Sequence, residues 1–189
     1  MRRSSARDSC VALGLGLLAV AAPAHAFDVR SNQVTYADGV FHVVFDAVLH
    51  APPAGIEAVL LDYSRYKYID PRIRRAELVA RESATALRVR TTIVACAGFF
   101  CRSVERVERI ERAPGQLVAT VIPALSDMRR GVARTRWTRE ADGTHVHYEA
   151  EFQPDFWVPS LIGHGLALRA LRDSTAQLFR NVEHEANAR

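Results

Sequence analysis

The carboxy-terminal stretch has the clearest periodicity in the chain. From Pro159 to about Ala186, mostly apolar side chains recur at spacings of three and four residues, and most charged side chains fall between them. This spacing places the recurring residues on one face of a helix. The face is formed by Leu161, His164, Leu168, Leu171, Thr175, Leu178 and Val182. The pattern predicts one long amphipathic helix, which needs a large apolar partner.

The stretches before this helix alternate between apolar and polar positions, which is typical of strands with one buried face. The predicted strands are Val29–Tyr36, Val40–His50, Ile73–Glu82, Thr85–Ala95, Phe100–Arg112, Gln116–Ile122, Arg129–Glu140 and Thr144–Phe152. The first has the weakest pattern, so we expect about seven strands. Val104, Val107 and Ile110 lie three residues apart, which also suits a helix. We interpret their segment as a strand with a bulge because its neighbours are strands.

Two short helices are predicted between the second and third strands. Pro52-Pro53 stops the preceding strand and suits the start of a helix from Ala54 to Leu61. A second short helix or turn follows from Asp62 to Tyr68, and Asp70-Pro71 ends it. The fold class is therefore α+β: a curved antiparallel sheet wrapped around the long final helix. Its size suits a single domain over residues 27–189.

Three of the connections between the later strands are long and apolar. They cover residues 96–101, 123–128 and 154–159, and they alternate with tight polar turns. Alternate connections of an antiparallel meander lie at the same end of the sheet, so the three should meet near the start of the final helix. We expect this end to be the portal of an enclosed space. Its aromatic residues are Phe99, Phe100, Phe156 and Trp157.

The first 26 residues have the features of a secretory signal. Three arginines precede an apolar run from Val11 to Ala22, and Ala24-His25-Ala26 supplies small residues for cleavage. An uncleaved membrane anchor is the alternative, but the run is shorter than the roughly 20 residues that span a bilayer. We expect cleavage near Ala26, a mature chain that begins at Phe27, and a periplasmic or secreted location.

The net charge and the cysteines bear on nucleic-acid binding and on metal binding. Loss of the signal lowers the formal charge from +4 to about +2, and the remaining arginines alternate with glutamates, which is not the pattern of a nucleic-acid-binding surface. Cys96 and Cys101 remain in an oxidising compartment, so a disulfide is expected. A two-cysteine metal site is the alternative, but it lacks further ligands nearby.

Several stretches resemble the START-like superfamily of helix-grip proteins, which includes polyketide cyclases, coenzyme-Q-binding proteins and lipid-transfer domains. The matching residues are Ala51-Pro52-Pro53, Leu60-Leu61-Asp62-Tyr63, Tyr66 to Pro71, and Pro154 to Gly163. The resemblance implies a sheet that curls around the carboxy-terminal helix and leaves a cavity for a hydrophobic ligand. Functions in this superfamily range from passive carriage to catalysis.

The apolar register of each strand predicts which side chains face this cavity. The inward strand positions are Phe45, Leu87, Val89, Thr91, Ile93, Ala133, Thr135, Trp137, Val146, Tyr148, Ala150 and Phe152. Leu161, His164 and Leu168 join them from the helix. For each residue alone, core packing is the simpler interpretation. No inward strand position in this register is a carboxylate, which weighs against general acid–base catalysis.

The histidines are the remaining candidates for chemistry. His164 could bond a ligand head group or a loop carbonyl at the first turn of the helix. His145 and His147 share the outward face of their strand, where a metal would need a third ligand such as Glu149. A solvated face is the simpler interpretation, so we expect no metal and no cofactor.

Taken together, these patterns predict an exported protein that carries a hydrophobic small molecule, a lipid or an isoprenoid. The expected partners are that ligand and, transiently, a membrane surface, with no nucleic acid. One alternative is an aromatase/cyclase-like enzyme that uses His164, Tyr148 and a tyrosine from Tyr63 to Tyr68. Another is an envelope interaction module that binds no ligand.

Overall fold

A computed structural model of the chain describes residues 27–97, 100–156 and 160–189. The elements are β1 Asp28–Ala37, β2 Val40–Leu49, α1 Pro53–Leu60, a 3-10 turn Tyr63–Arg65, α2 Tyr66–Ile69, β3 Ile73–Arg81, β4 Ala86–Ala97, β5 Phe100–Ala113, β6 Gln116–Val121, a second 3-10 turn Pro123–Leu125, β7 Met128–Glu140, β8 Gly143–Pro154 and α3 Ser160–Asn187. Each predicted element is present, with bounds that differ by one or two residues. The predicted signal peptide lies outside the described residues.

The described strands form one antiparallel sheet in the order β1-β2-β8-β7-β6-β5-β4-β3. It has eight strands where about seven were expected, because the weakly patterned first segment pairs with β2 along its length. The turn between them has Asp38 at φ 51° and Gly39 at φ 82°, the positive angles that a tight hairpin turn requires. The predicted helix-grip architecture of class α+β is confirmed.

The long helix α3 lies across the concave face of the sheet. Phe179 is 1 % exposed, and its ring stacks on Phe45 at 4.9 Å between centroids and meets Tyr148 edge-on at 5.5 Å. Val182 is completely buried in the same cluster. These aromatic contacts place the centre of the core between β2, β8 and the second half of α3.

Hydrogen bonds fix the carboxy-terminal half of α3. Glu183 Oε2 accepts a bond of 2.8 Å from the backbone N–H of His50, and Asn187 Nδ2 donates to the carbonyl of that residue at 3.0 Å. Asn181 Nδ2 donates to the Ile69 carbonyl at 3.0 Å. These bonds connect α3 to α2 and to the end of β2, which lies opposite the apolar connection after β8.

Strand β5 differs from the expectation. It pairs with β4 in continuous register from Ala86 opposite Glu111 to Ala97 opposite Phe100, so the predicted bulge is wrong. The spacing of three has another cause. Val107 points to the convex face, yet it is fully buried, and Ser126 Oγ bonds to both its N–H and its carbonyl. The segment after β6 therefore lies along the edge of β5 at Val107, and the spacing of three joins inward Val104 and Ile110 with an outward, buried Val107.

The turn between β4 and β5 contains the predicted disulfide, between Cys96 and Cys101, which lie opposite each other in the register. The described helices include none that is both long and apolar enough to cross a membrane.

Candidate functional site

The concave face contains the inward residues that the sequence predicts. Cross-strand partners project to the same side of a sheet, and Phe45 lies opposite Tyr148, Ala133 opposite Ala150, and Thr135 opposite Tyr148. The remaining strand positions on this face are Leu87, Val89, Thr91, Ile93, Trp137, Val146 and Phe152. Their shared direction toward α3 is observed, whereas their contact with a ligand stays a prediction.

Part of this face stays accessible, although its side chains point inward. Six of the inward residues are only partly buried: Leu87, Ile93, Ala133, Thr135, Tyr148 and Phe152. The facing side chains of α3 that are also partly buried are Leu168, Leu171 and Leu178. A close-packed core would leave such side chains without accessible surface. These side chains keep accessible surface between the sheet and α3, and this partly accessible region is the candidate cleft.

An ion pair lies on the concave face of β5. Arg106 is opposite Thr91 and Glu108 is opposite Val89, so both project toward α3. Arg106 Nε lies 3.0 Å from Glu108 Oε2, and the side chains are 32 % and 9 % exposed. The prediction that no inward strand position is a carboxylate is therefore wrong. The assumed bulge in β5 left the facing of these residues unassigned.

Tyrosines from the segment after α1 close one side of the cleft. Tyr63 is 8 % exposed, its ring lies 5.1 Å from that of Tyr66, and it packs in the cluster that contains Val89. Tyr66 donates a hydrogen bond of 2.7 Å to the Leu60 carbonyl. In the described part of the chain, the buried hydroxyl of Tyr63 has no partner.

These tyrosines are neutral hydrogen-bond donors. Burial raises the pKa of Tyr63 to about 12; the nearby Glu108 carboxylate acts on it in the same direction, and Arg112 opposes both. Burial also raises the pKa of Tyr66 and of Tyr148. The Glu108 carboxylate also acts to raise the pKa of Tyr66 and of Tyr148, and Arg106 opposes it at both.

The apolar connections meet at one end of the sheet, as predicted. Asp127, in the connection after β6, bonds to Glu105 through its backbone N–H and its carboxylate, both at 2.8 Å. Its carbonyl accepts from the Asp155 N–H at 3.0 Å. Phe156 packs against the cluster around Met128, and the Arg102 guanidinium lies 4.6 Å from its ring centroid.

The other predicted portal and helix residues are only partly described. Phe99 and Trp157 lie outside the described residues. Phe100 begins β5, and Leu161 and His164 lie in the first turns of α3, but their side chains are not among those described. Leu168 packs against the inward cluster of Val34, Val43 and Ala150, as the helical periodicity predicts.

The outward histidines form a row of hydrogen bonds with carboxylates. Asp46 accepts from His145 Nε2 at 2.7 Å and from His147 Nδ1 at 2.8 Å, and His147 Nε2 lies 3.2 Å from Glu149 Oε1. Burial raises the pKa of Asp46, but its bonds to the two histidines outweigh this and lower it overall. The same bond to Asp46 raises the pKa of His147.

The family model for polyketide cyclase / dehydrase and lipid transport matches residues 40–184, from β2 through most of α3. The chain belongs to this family. Its match includes the ion pair of β5, the tyrosines and the concave strands. No curated protein sequence matches the chain.

Solved structures share the fold of this polyketide cyclase / dehydrase and lipid transport family member. A protein from Thermus thermophilus is similar with a TM-score of 0.66 and 19 % identity, over 78 % of this chain and 97 % of that one. The Zhui aromatase/cyclase from Streptomyces sp. R1128 gives 0.60 and 18 %, over 79 % and 95 %. A STAR-related lipid transfer protein from Xanthomonas axonopodis gives 0.62 and 15 %, over 85 % and 98 %.

A signal for the missed ion pair was present in the sequence. A disulfide that closes a short hairpin fixes Cys96 opposite Cys101, and counting back along both strands then places Glu108 opposite Val89. The alternation of β4 alone determines that Val89 faces inward, so Glu108 must face inward with it.

Proposed function

We propose that this protein is an exported carrier that binds one apolar small molecule, a lipid or an isoprenoid, between the sheet and α3. The observation that supports this best is the concave face itself, which is largely apolar and stays partly accessible beneath the helix. The lipid transfer protein and the aromatase/cyclase with the same fold are consistent with small-molecule binding at such a face.

Burial of ligand surface supplies the driving force. Each 100 Å² of apolar surface removed from water contributes about 2.5 kcal/mol before the costs of ordering. The inward face offers aliphatic and aromatic side chains for this contact, and its few polar groups can orient one end of the ligand. Carriage needs no reaction, so the bound molecule leaves chemically unchanged.

Ligand exchange occurs at the end where the apolar connections meet. The far half of α3 is fixed by Asn181, Glu183 and Asn187, so the first turns of the helix are the part that can move relative to the connections. Gly165 lies in this part, and a methyl group added there would meet no described atom within 4 Å. Movement of these turns opens and closes the cleft.

Export and membrane contact complete the proposal. Cleavage near Ala26 leaves Phe27 at the amino terminus, where its ring stacks on Phe45 at 6.0 Å and the Arg180 guanidinium lies 5.4 Å from its centroid. Leu125, which is 44 % exposed, and Phe156 are the side chains at the portal that would touch a membrane surface during loading.

The test is mass spectrometry of small molecules that co-purify with the protein from its native export compartment. Ala133→Phe fills the cleft from β7, and Thr138→Phe adds the same ring to an exposed outward position of that strand. We expect one defined apolar molecule at near-stoichiometric occupancy in the wild type and in Thr138→Phe, and its loss in Ala133→Phe. Empty protein in all three samples would favour the interaction module.

A second candidate is cyclase-like catalysis, and the ion pair of β5 favours it. Arg106 could polarise a substrate carbonyl, Glu108 could remove a proton from the adjacent carbon, and Tyr148 could donate a hydrogen bond. Incubation with a synthetic linear poly-β-ketone, followed by mass spectrometry for a dehydrated ring product, tests this. Product formation that Glu108→Gln abolishes would support an enzyme over a carrier.

A further inference from the structure

Among the described residues, the inward side of the sheet has buried polar atoms without a hydrogen-bond partner, namely Asn32 Oδ1, Arg106 Nε and the Tyr63 hydroxyl. Tyr63 is only 8 % exposed, and its buried hydroxyl has no hydrogen-bond partner among the described residues. Burial of a hydroxyl without a partner costs about 1 to 3 kcal/mol. Its neighbour Tyr66 meets the same demand by donating to the Leu60 carbonyl. Because Tyr66 has a hydrogen-bond partner and Tyr63 has none, the Tyr63 hydroxyl is a group to which another molecule could hydrogen-bond.

The ring of Tyr63 packs on the inner face of the sheet. It belongs to the same hydrophobic cluster as Val89, Ile110 and Leu117, which are inward residues of β4, β5 and β6. Glu108 lies opposite Val89 on this face, and its side chain is 9 % exposed. Tyr63 therefore lies over the part of the inner face that contains Glu108.

The charge of that surface is balanced. Arg106 and Glu108 lie 3.0 Å apart and offset each other's charge, and the nearby Arg81 and Arg112 are exposed, so solvent and salt screen their charges. A carboxylate or phosphate placed beside Glu108 would be repelled, and a cation would be repelled by Arg106. A neutral oxygen avoids both penalties and can accept a hydrogen bond from the phenol.

We propose that the cleft selects an apolar molecule with a neutral hydroxyl or carbonyl oxygen, which the Tyr63 hydroxyl binds by a hydrogen bond beside the Arg106–Glu108 pair. This inference rests on the proposed function, because it names the class of ligand for the same cleft. It excludes plain hydrocarbons, fatty acids and phosphate head groups as the preferred occupants at this depth.

Matched aromatic probes test this directly. 2-Naphthol and 2-methylnaphthalene have nearly the same shape, and only the first has a hydroxyl, whereas 2-naphthoate adds a negative charge. Calorimetric titration of the purified protein gives a Kd for each. We expect 2-naphthol to bind about 3- to 10-fold more tightly than the other two. Tyr63→Phe should remove the preference for 2-naphthol over 2-methylnaphthalene and leave the Kd of 2-methylnaphthalene unchanged.

The control variant is Tyr68→Phe, which deletes the same atom from a ring that is 53 % exposed, and it should change no Kd. The melting temperature of Tyr63→Phe should not fall, since the variant removes an unsatisfied buried hydroxyl.

Three results would overturn the inference in different ways. If 2-naphthol and 2-methylnaphthalene bind equally, or if Tyr63→Phe leaves their ratio unchanged, the hydroxyl has no role and water satisfies it. Preference for 2-naphthoate would refute the charge argument. Absence of binding by every probe to the wild type would refute the proposed function itself.

Discussion

Two ion pairs on β5 allow the stability contribution of a buried pair to be compared with that of an exposed pair on the same strand. Arg106 pairs with Glu108 on the concave face, and Arg109 pairs with Glu111 on the convex face with the same spacing, at 3.0 and 2.7 Å. The pairs lie on one strand and differ in burial, and Arg109 also bonds to Glu82 at 2.8 Å. Glu108 is 9 % exposed and Glu111 is 51 % exposed. The perturbation is Glu108→Gln, with Glu111→Gln as its control.

The expected magnitude follows from the geometry. At 3.0 Å and an effective dielectric constant of about 20, two unit charges attract by roughly 5 kcal/mol, and most of this is offset by the cost of removing both from water. Glu108→Gln leaves Arg106 without its counter-charge, and the partial exposure of Arg106 moderates the penalty. We expect a loss of about 2 kcal/mol in the free energy of unfolding, which lowers Tm by about 4 to 8 °C.

Chemical denaturation at neutral pH measures both variants, and the slope of the transition checks that the unfolded state is unchanged. Glu111→Gln should unfold at the same denaturant concentration as the wild type, because solvent and salt screen the Arg109–Glu111 pair. Equal and negligible effects of the two substitutions would show that Glu108 is solvated, and the inward orientation of the pair would then be refuted.

Three further results are expected. The bond to Asp46 raises the pKa of His147, so its contribution to the free energy of unfolding is complete below the unfolded pKa of about 6.5. This contribution is lost as the pH rises through the higher folded pKa. The fall in unfolding free energy above about pH 6 should therefore be smaller in Asp46→Asn. Gly165→Ala should stabilise the protein to denaturant by about 0.5 to 1 kcal/mol and slow release of a bound probe in stopped-flow fluorescence, because it stiffens the first turns of α3 without a clash. Phe179→Ala should cost about 3 to 5 kcal/mol by calorimetry, since it removes the ring packed between Phe45 and Tyr148.

Much of the fold could be predicted because periodicity and topology act over long stretches. The stripe of α3 needed an apolar partner, and the alternation of β4 and β8 determined which side chains supply it. The meeting of the apolar connections followed from the meander alone, and the bonds of Asp127 to Glu105 and Asp155 confirm it.

The facing of β5 could not be predicted from its own pattern. Val107 is fully buried on the convex face, whereas Val104 and Ile110 face inward, and no local period reveals this division. The charged residues Arg106 and Glu108 are then typical of a strand face that is exposed to solvent. The register set by Cys96 and Cys101 was the one constraint strong enough to correct this.

Methyl-resolved NMR titration with 2-naphthol shows whether a ligand binds between the sheet and α3. Leu87, Val89 and Ile93 project into the cleft from β4, whereas Val118 and Val132 project from the convex face of β6 and β7. We expect saturable shifts of the first group at one equivalent of bound probe and unchanged resonances in the second. Shifts confined to the convex group, or none in either, would contradict a ligand site between the sheet and α3.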